Sequence, residues 1–193
     1  MKYDFNYWQF SPENQYLDRK SARKRPSELL KHLIAFANAD GGQLIIGIED
    51  EKQDNIITGF KDGKAYPIDD FKKIDREMRD TPLDLSFEEI PVINHKGDDD
   101  LILVISVELS SNRVIAAPND EVYLRQGDES VKLSYEQRIQ LSYDKGQRFF
   151  EDEIIEDATL DDIDELLVQD FKEHFDISER STEEILKARR FLI

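Results

Sequence analysis

AFANADGGQLIIGIED, residues 35–50, carries an apolar helical run into an apolar strand across two glycines and then stops on two acids. Upstream, Leu29, Leu30, Leu33, Ile34, Phe36 and Ala37 recur at helical spacing. Pro26 and Ser27 open that run, and proline suits a helix's first turn. The spacing predicts a helix with a broad buried face. Asn38-Ala39-Asp40-Gly41-Gly42 ends it, since glycine tolerates the left-handed backbone beyond a helix C-terminus and Asn38 is a candidate cap. Residues 43–48 are almost continuously apolar, the pattern of a strand covered on both faces. Asn38, Gly41 and Gly42 are therefore read as a structural junction, where a helix reverses tightly into a central strand.

Working outward, residues 16–20 read as a short strand entered from a turn at Ser11-Pro12-Glu13-Asn14. A partner strand is expected over 55–59, and an amphipathic helix over 68–79 with Phe71, Ile74 and Met78 inward. Residues 83–93 and 101–109 read as a hairpin. A smaller hairpin over 121–126 and 130–133 surrounds Gly127-Asp128, and Ser134 caps a helix running to about Tyr143. Beyond it, 151–157 is an acidic connector. Helices are expected over 160–175 and 183–191, the second with Ser181 and Thr182 as candidate caps. The expected fold is α+β, a mixed β-sheet with packed helices, followed by a short helical extension. The expected division is a domain at 1–146 and an acidic helical connector at 147–193. The apolar ending Phe191-Leu192-Ile193 suggests a piece of a longer polypeptide.

The 193 residues suffice for a sizeable core. No apolar run approaches the ~20 residues of a membrane span. The absence of cysteine removes thiolate zinc and disulfide frameworks and fits a reducing, cytoplasmic setting. His32, His95 and His174 are scattered without zinc-ligand spacing. A net charge of −17 argues against wholesale electrostatic binding of nucleic acid. The charge is uneven, however. Residues 151–193 hold 15 acids against 5 bases, whereas Arg19, Lys20, Arg23, Lys24, Arg25 and Lys31 stand against Glu28 alone. That run, with Arg125 leaving a strand beside Gly127, is the candidate nucleic-acid contact; Arg125 can also pair with one of the many carboxylates, the slightly favoured reading for that residue.

Glu13-x4-Asp18-x-Lys20, then a helix, Ala35-Phe36-Ala37-Asn38-Ala39-Asp40-Gly41-Gly42 and Leu44-Ile45-Ile46-Gly47-Ile48-Glu49-Asp50 resemble, in that order, the Schlafen AlbA-type (divergent AAA) domain. Tyr123-Leu124-Arg125-Gln126-Gly127 resembles the tyrosine–arginine–glycine element near that domain's end. The likeness covers about residues 10–145. It implies the nucleic-acid-binding, DNA-directed module of a bacterial transcription-regulator-like protein, with a homodimer as a further expectation and no membrane partner. The ATP-binding label of the family finds no support here, because the chain lacks a G-x-x-x-x-G-K-[ST] loop.

The resemblance also carries an alternative. In Schlafen-type ribonucleases two early acids and an acid after the glycine-rich strand hold a metal, and the matching positions are Glu13, Asp18 and either Asp50 or Glu49. A metal-dependent endoribonuclease would use Mg or Mn there, with Lys20 beside the scissile phosphate. Family members commonly place glutamate where this chain has Asp18, one methylene shorter. In a chain with 43 acids, such residues also serve as turn caps and partners of Arg19, Lys20 or Arg23. A binding module is favoured over an enzyme; a structural or dimerising domain of a larger ATPase-like regulator is a third reading.

Overall fold

The structure is a computed structural model in which residues 5–50, 54–76, 78, 82–148, 159, 162–175 and 179–188 are described. The chain divides into two compact units, Met1–Arg148 and Phe149–Ile193. In the first unit the order is α1 (Phe5–Phe10), β1 (Leu17–Lys20), α2 (Pro26–Asn38), β2 (Gly42–Ile46), α3 (Ile68–Phe71), β3 (Leu85–Ile93), β4 (Asp99–Val107), β5 (Tyr123–Gln126), β6 (Glu129–Lys132) and α4 (Tyr135–Asp144). Four strands form a mixed sheet in the order β1-β2-β4-β3, with β1 parallel to β2 and the other pairs antiparallel. Strands β5 and β6 form a separate antiparallel hairpin. The fold is α+β.

The continuous apolar run at 43–48 has a direct explanation. Leu44 and Ile46 of β2 join Leu103, Ile105 and Val107 of β4 in the cluster containing Leu33, Ile34 and Phe36 of α2. Ile45, Ile102 and Val104 meet Leu17 and Trp8 on the opposite face. Alternate residues thus enter two different cores, so neither parity of the strand can be polar. Burial of each such side chain is worth about 1.5–3 kcal/mol, which makes this strand the anchor of the unit.

The junction after α2 tolerates no bulk. Gly41 has φ 76°, and its N–H donates to Phe36 O at 2.9 Å. A Cβ on Gly41 would lie 2.7 Å from Val107 O, and one on Gly42 would lie 2.5 Å from the Phe36 ring. Asn38 differs from the expected cap. Its amide nitrogen donates to Ile115 O (2.8 Å) and Tyr123 O (2.9 Å), and its oxygen accepts from Ile115 N (2.8 Å). A buried amide with both ends satisfied ties α2 to the segment entering β5.

In the first unit two expected elements are shorter than their sequence pattern suggests. Residues 55–59 make one isolated bridge, Ile48 to Ile57, because Asp54 and Asn55 adopt left-handed φ of 55° and 53° and bend the chain immediately before it. The helix expected over 68–79 ends at Phe71 and continues as turns in which Ile74 N donates to Phe71 O and Arg76 N to Lys73 O. Phe71, Ile74 and Met78 are nevertheless buried as their spacing requires. The expected hairpin over 83–93 and 101–109 is β3–β4. Ser134 caps α4 with a reciprocal Gln137 contact.

The second unit contains α5 (Glu165–His174), capped by Asp164, and α6 (Thr182–Ala188). Ser181 accepts from Glu184 N and donates to its carboxylate, as a helix cap does. The acidic connector at 151–157, residues 160 and 161, and the apolar ending at 191–193 lie outside the described residues. No described helix is long and apolar enough to cross a membrane.

Candidate nucleic-acid interface

Strand alternation places Asp18 and Lys20 on one face of β1 and Leu17 and Arg19 on the other. Asp18 is buried beneath α2 and the β5–β6 hairpin. Its Oδ1 accepts from Lys20 Nζ at 2.5 Å, while its Oδ2 meets His32 Nδ1 at 3.0 Å and Arg125 Nη1 at 3.2 Å. Burial opposes ionisation of Asp18, but the His32 hydrogen bond and the Lys20 charge outweigh it and hold the carboxyl well below its usual range. Burial lowers the pKa of His32 despite the adjacent carboxylate, so the neutral ring donates its Nδ1–H to Asp18. Ser130 Oγ lies 3.0 Å from the same ring nitrogen. A Ser-His-Asp relay needs the hydroxyl and the carboxylate on opposite ring nitrogens, so this grouping is an anchor and not a nucleophile.

Arg125 completes the anchor. Its guanidinium donates to Asn14 O (3.1 and 2.9 Å), Leu17 O (3.1 Å) and Asp18, and lies 4.8 Å from the centre of the Phe36 ring. Its side chain is fully inaccessible. Arg19, buried on the opposite face, donates from Nε to Trp8 O at 2.6 Å and from Nη2 to Ser11 O. Neither arginine is on the surface that the sequence pattern suggested: each charged head satisfies backbone carbonyls inside the fold. Lys20 is half-buried and committed to Asp18.

The exposed part of the basic run is therefore Arg23, Lys24, Arg25 and Lys31. Arg23 pairs with Asp62, and Arg25 Nε donates to Tyr66 OH at 3.3 Å. These residues occupy the loop before α2 and its first turns. No side chain caps that helix, and Glu28 lies in its first turn.

The acids that the nuclease reading requires do not assemble as ligands. Glu13 Oε1 accepts from Arg19 N at 2.9 Å, and burial followed by the Asp18 charge raises its pKa. Glu49 is buried, its Oε1 accepting from Ser21 Oγ (2.8 Å) and Thr58 Oγ1 (3.0 Å). Among the described residues no group of three histidine, aspartate or glutamate side chains is placed to hold a metal ion, so Glu13, Asp18 and Asp50 do not form one. The Asp18 oxygens are taken by cations of the protein itself.

The sequence marks His32 only as one of three scattered histidines and does not mark Ser130. A histidine beside the apolar positions Leu29, Leu30, Leu33 and Ile34 of the helix is the signal for the first; Ser130 carries none.

The family described as Schlafen, AlbA_2 matches residues 13–134. The search of curated proteins finds no match. Among solved structures, the crystal structure of the DIP2311 protein from Corynebacterium diphtheriae is similar, with 21% identity, a TM-score of 0.47 and 89% of this chain covered. The chain spans 37% of that protein's chain.

Proposed function

Because the chain belongs to the Schlafen AlbA_2 family, we propose that its first unit binds nucleic acid through phosphate contacts from Arg23, Lys24, Arg25 and Lys31, as the DNA-directed module of a transcription-regulator-like protein. One observation carries the reading: these four cations are exposed around a helix N-terminus that no side chain caps, in a protein whose net charge is −17. An acidic surface repels polyanions except where cations are concentrated, and that local concentration fixes the site of approach. Arg23 and Arg25 already contact Asp62 and Tyr66, so both side chains are held near the loop before any ligand arrives.

The test is affinity for single- and double-stranded DNA and RNA at several salt concentrations, comparing wild type with Arg23→Ala/Lys24→Ala/Arg25→Ala. Losing three phosphate contacts lowers the log–log salt slope by about 2.7 on duplex DNA and about 2.1 on single strands. Unchanged affinity and slope overturn the reading.

A further inference from the structure

An open groove of about 460 Å³ lies beside the exposed cations, between α2 and the segment leading into β5. Ser27, Glu28, Leu30 and Lys31 line the helix side, and Pro118 and Tyr123 line the other. We infer that this groove receives an unpaired nucleobase, which makes single-stranded nucleic acid the substrate class of the phosphate site. The inference rests on the phosphate reading above.

Three features favour that occupant. The groove is continuous with the cationic run: Lys31 lines it, and Ser27 follows Arg25 by two residues, so a strand whose phosphates meet Lys24 and Arg25 delivers its next base to this place. Its lining includes Tyr123, Pro118 and Leu30, residue types against which any base can pack irrespective of identity. Tyr123 is also prepositioned. It packs partly against the core, and its hydroxyl donates to Glu121 Oε2 at 2.6 Å, a bond that pushes its pKa up to about 12 and keeps the ring neutral and oriented. Glu121 is itself occupied by Lys132, so this carboxylate does not face the ligand unpaired. A duplex hides its bases in the stack and presents none to a groove of this kind; an unpaired strand presents them at no unstacking cost beyond its own.

The experiment uses the full chain and fluorescently labelled 12-mers at one fixed salt: single-stranded DNA, single-stranded RNA, the corresponding duplexes, and a DNA strand whose central bases are replaced by abasic sites. With wild-type protein the abasic strand should bind about fivefold or more weakly than the intact strand. Tyr123→Leu should weaken binding to intact single strands by a similar factor and leave duplex and abasic affinity unchanged. Pro118→Ala is the second variant, with a smaller loss of the same pattern, and Tyr123→Leu is read only if its thermal melt is cooperative. Equal wild-type affinity for the abasic and intact strands overturns the inference whatever the variants do. If the Arg23/Lys24/Arg25 variant still loses affinity in that case, phosphate binding stands and the groove does not. Parallel DNA and RNA results assign the groove to bases generally, whereas base dependence in one arm alone restricts the inference to that nucleic acid.

Discussion

Removing the guanidinium of Arg125 tests the anchor that holds β1, α2 and the β5–β6 hairpin together. The side chain is inaccessible, pairs with Asp18, and donates to the carbonyls of Asn14 and Leu17. In Arg125→Ala those two carbonyls keep only the backbone N–H bonds between Asn14 and Leu17, Asp18 keeps only Lys20 and His32 as partners, and the face of Phe36 loses its cover. Breaking a buried pair from one side costs about 3–5 kcal/mol, because the remaining charge stays buried. For a unit of this size that is a fall in Tm of roughly 6–20 °C. Trp8 is the chain's one tryptophan, is buried in the first unit, and donates its indole N–H to Gln43 Oε1 at 2.9 Å, so its fluorescence reports this unit directly. Urea unfolding followed at Trp8 gives the stability change, with Asp18→Asn and the double variant closing a mutant cycle. The pH dependence supplies a second readout. Because the folded pKa of Asp18 is depressed, its contribution is complete above the unfolded value near 3.9 and is lost as pH falls below it. Asp18→Asn should flatten that acid limb. An Arg125→Ala protein within about 1 kcal/mol of wild type, or additivity in the cycle, would refute the reasoning.

The basic-run variant should lose both affinity and salt slope, as set out above, and the abasic strand should bind more weakly than its intact counterpart. Gly42→Val should destabilise the first unit by about 1–3 kcal/mol through collision with the Phe36 ring, read by the same urea titration; a variant as stable as wild type means that Phe36 can move aside. Burial depresses the pKa of His32, so the unfolded chain takes up a proton below its usual value near 6.5 while the folded one resists it, and stability should fall as pH drops from 7 towards 5. Glu13 acts in the opposite sense, since its raised pKa favours the folded state at lower pH. The comparison is therefore between wild type and His32→Gln, whose melting temperatures should converge towards pH 5; parallel curves would exclude His32 as the source.

Much of the architecture follows from local pattern. The helix before Asn38, the doubly covered strand after Gly42, the long hairpin and the Ser134 cap all follow from the spacing of apolar residues and from the backbone freedom of Gly41, properties that act within one element or one turn. The family likeness was readable for the same reason: its motifs are short, and they occur in a fixed order. What sequence spacing could not decide is which charges face water. Arg19 and Arg125 stood with Lys24 and Arg25 as candidate phosphate contacts, yet the fold buries both, and their guanidinium groups donate to carbonyls of Trp8, Ser11, Asn14 and Leu17. Asp18 read as a partner of Arg19, Lys20 or Arg23 or, in the alternative, as a metal ligand; its two oxygens are taken by Lys20 and by His32 and Arg125, 14 and 107 positions away. The two distant partners leave no local signature, because burial and charge pairing across the fold are properties of the packed molecule. Local pattern determined most of the elements and carried the family likeness; tertiary structure decided that Asp18, Arg19 and Arg125 are buried with partners inside the fold and that Arg23, Lys24, Arg25 and Lys31 remain exposed.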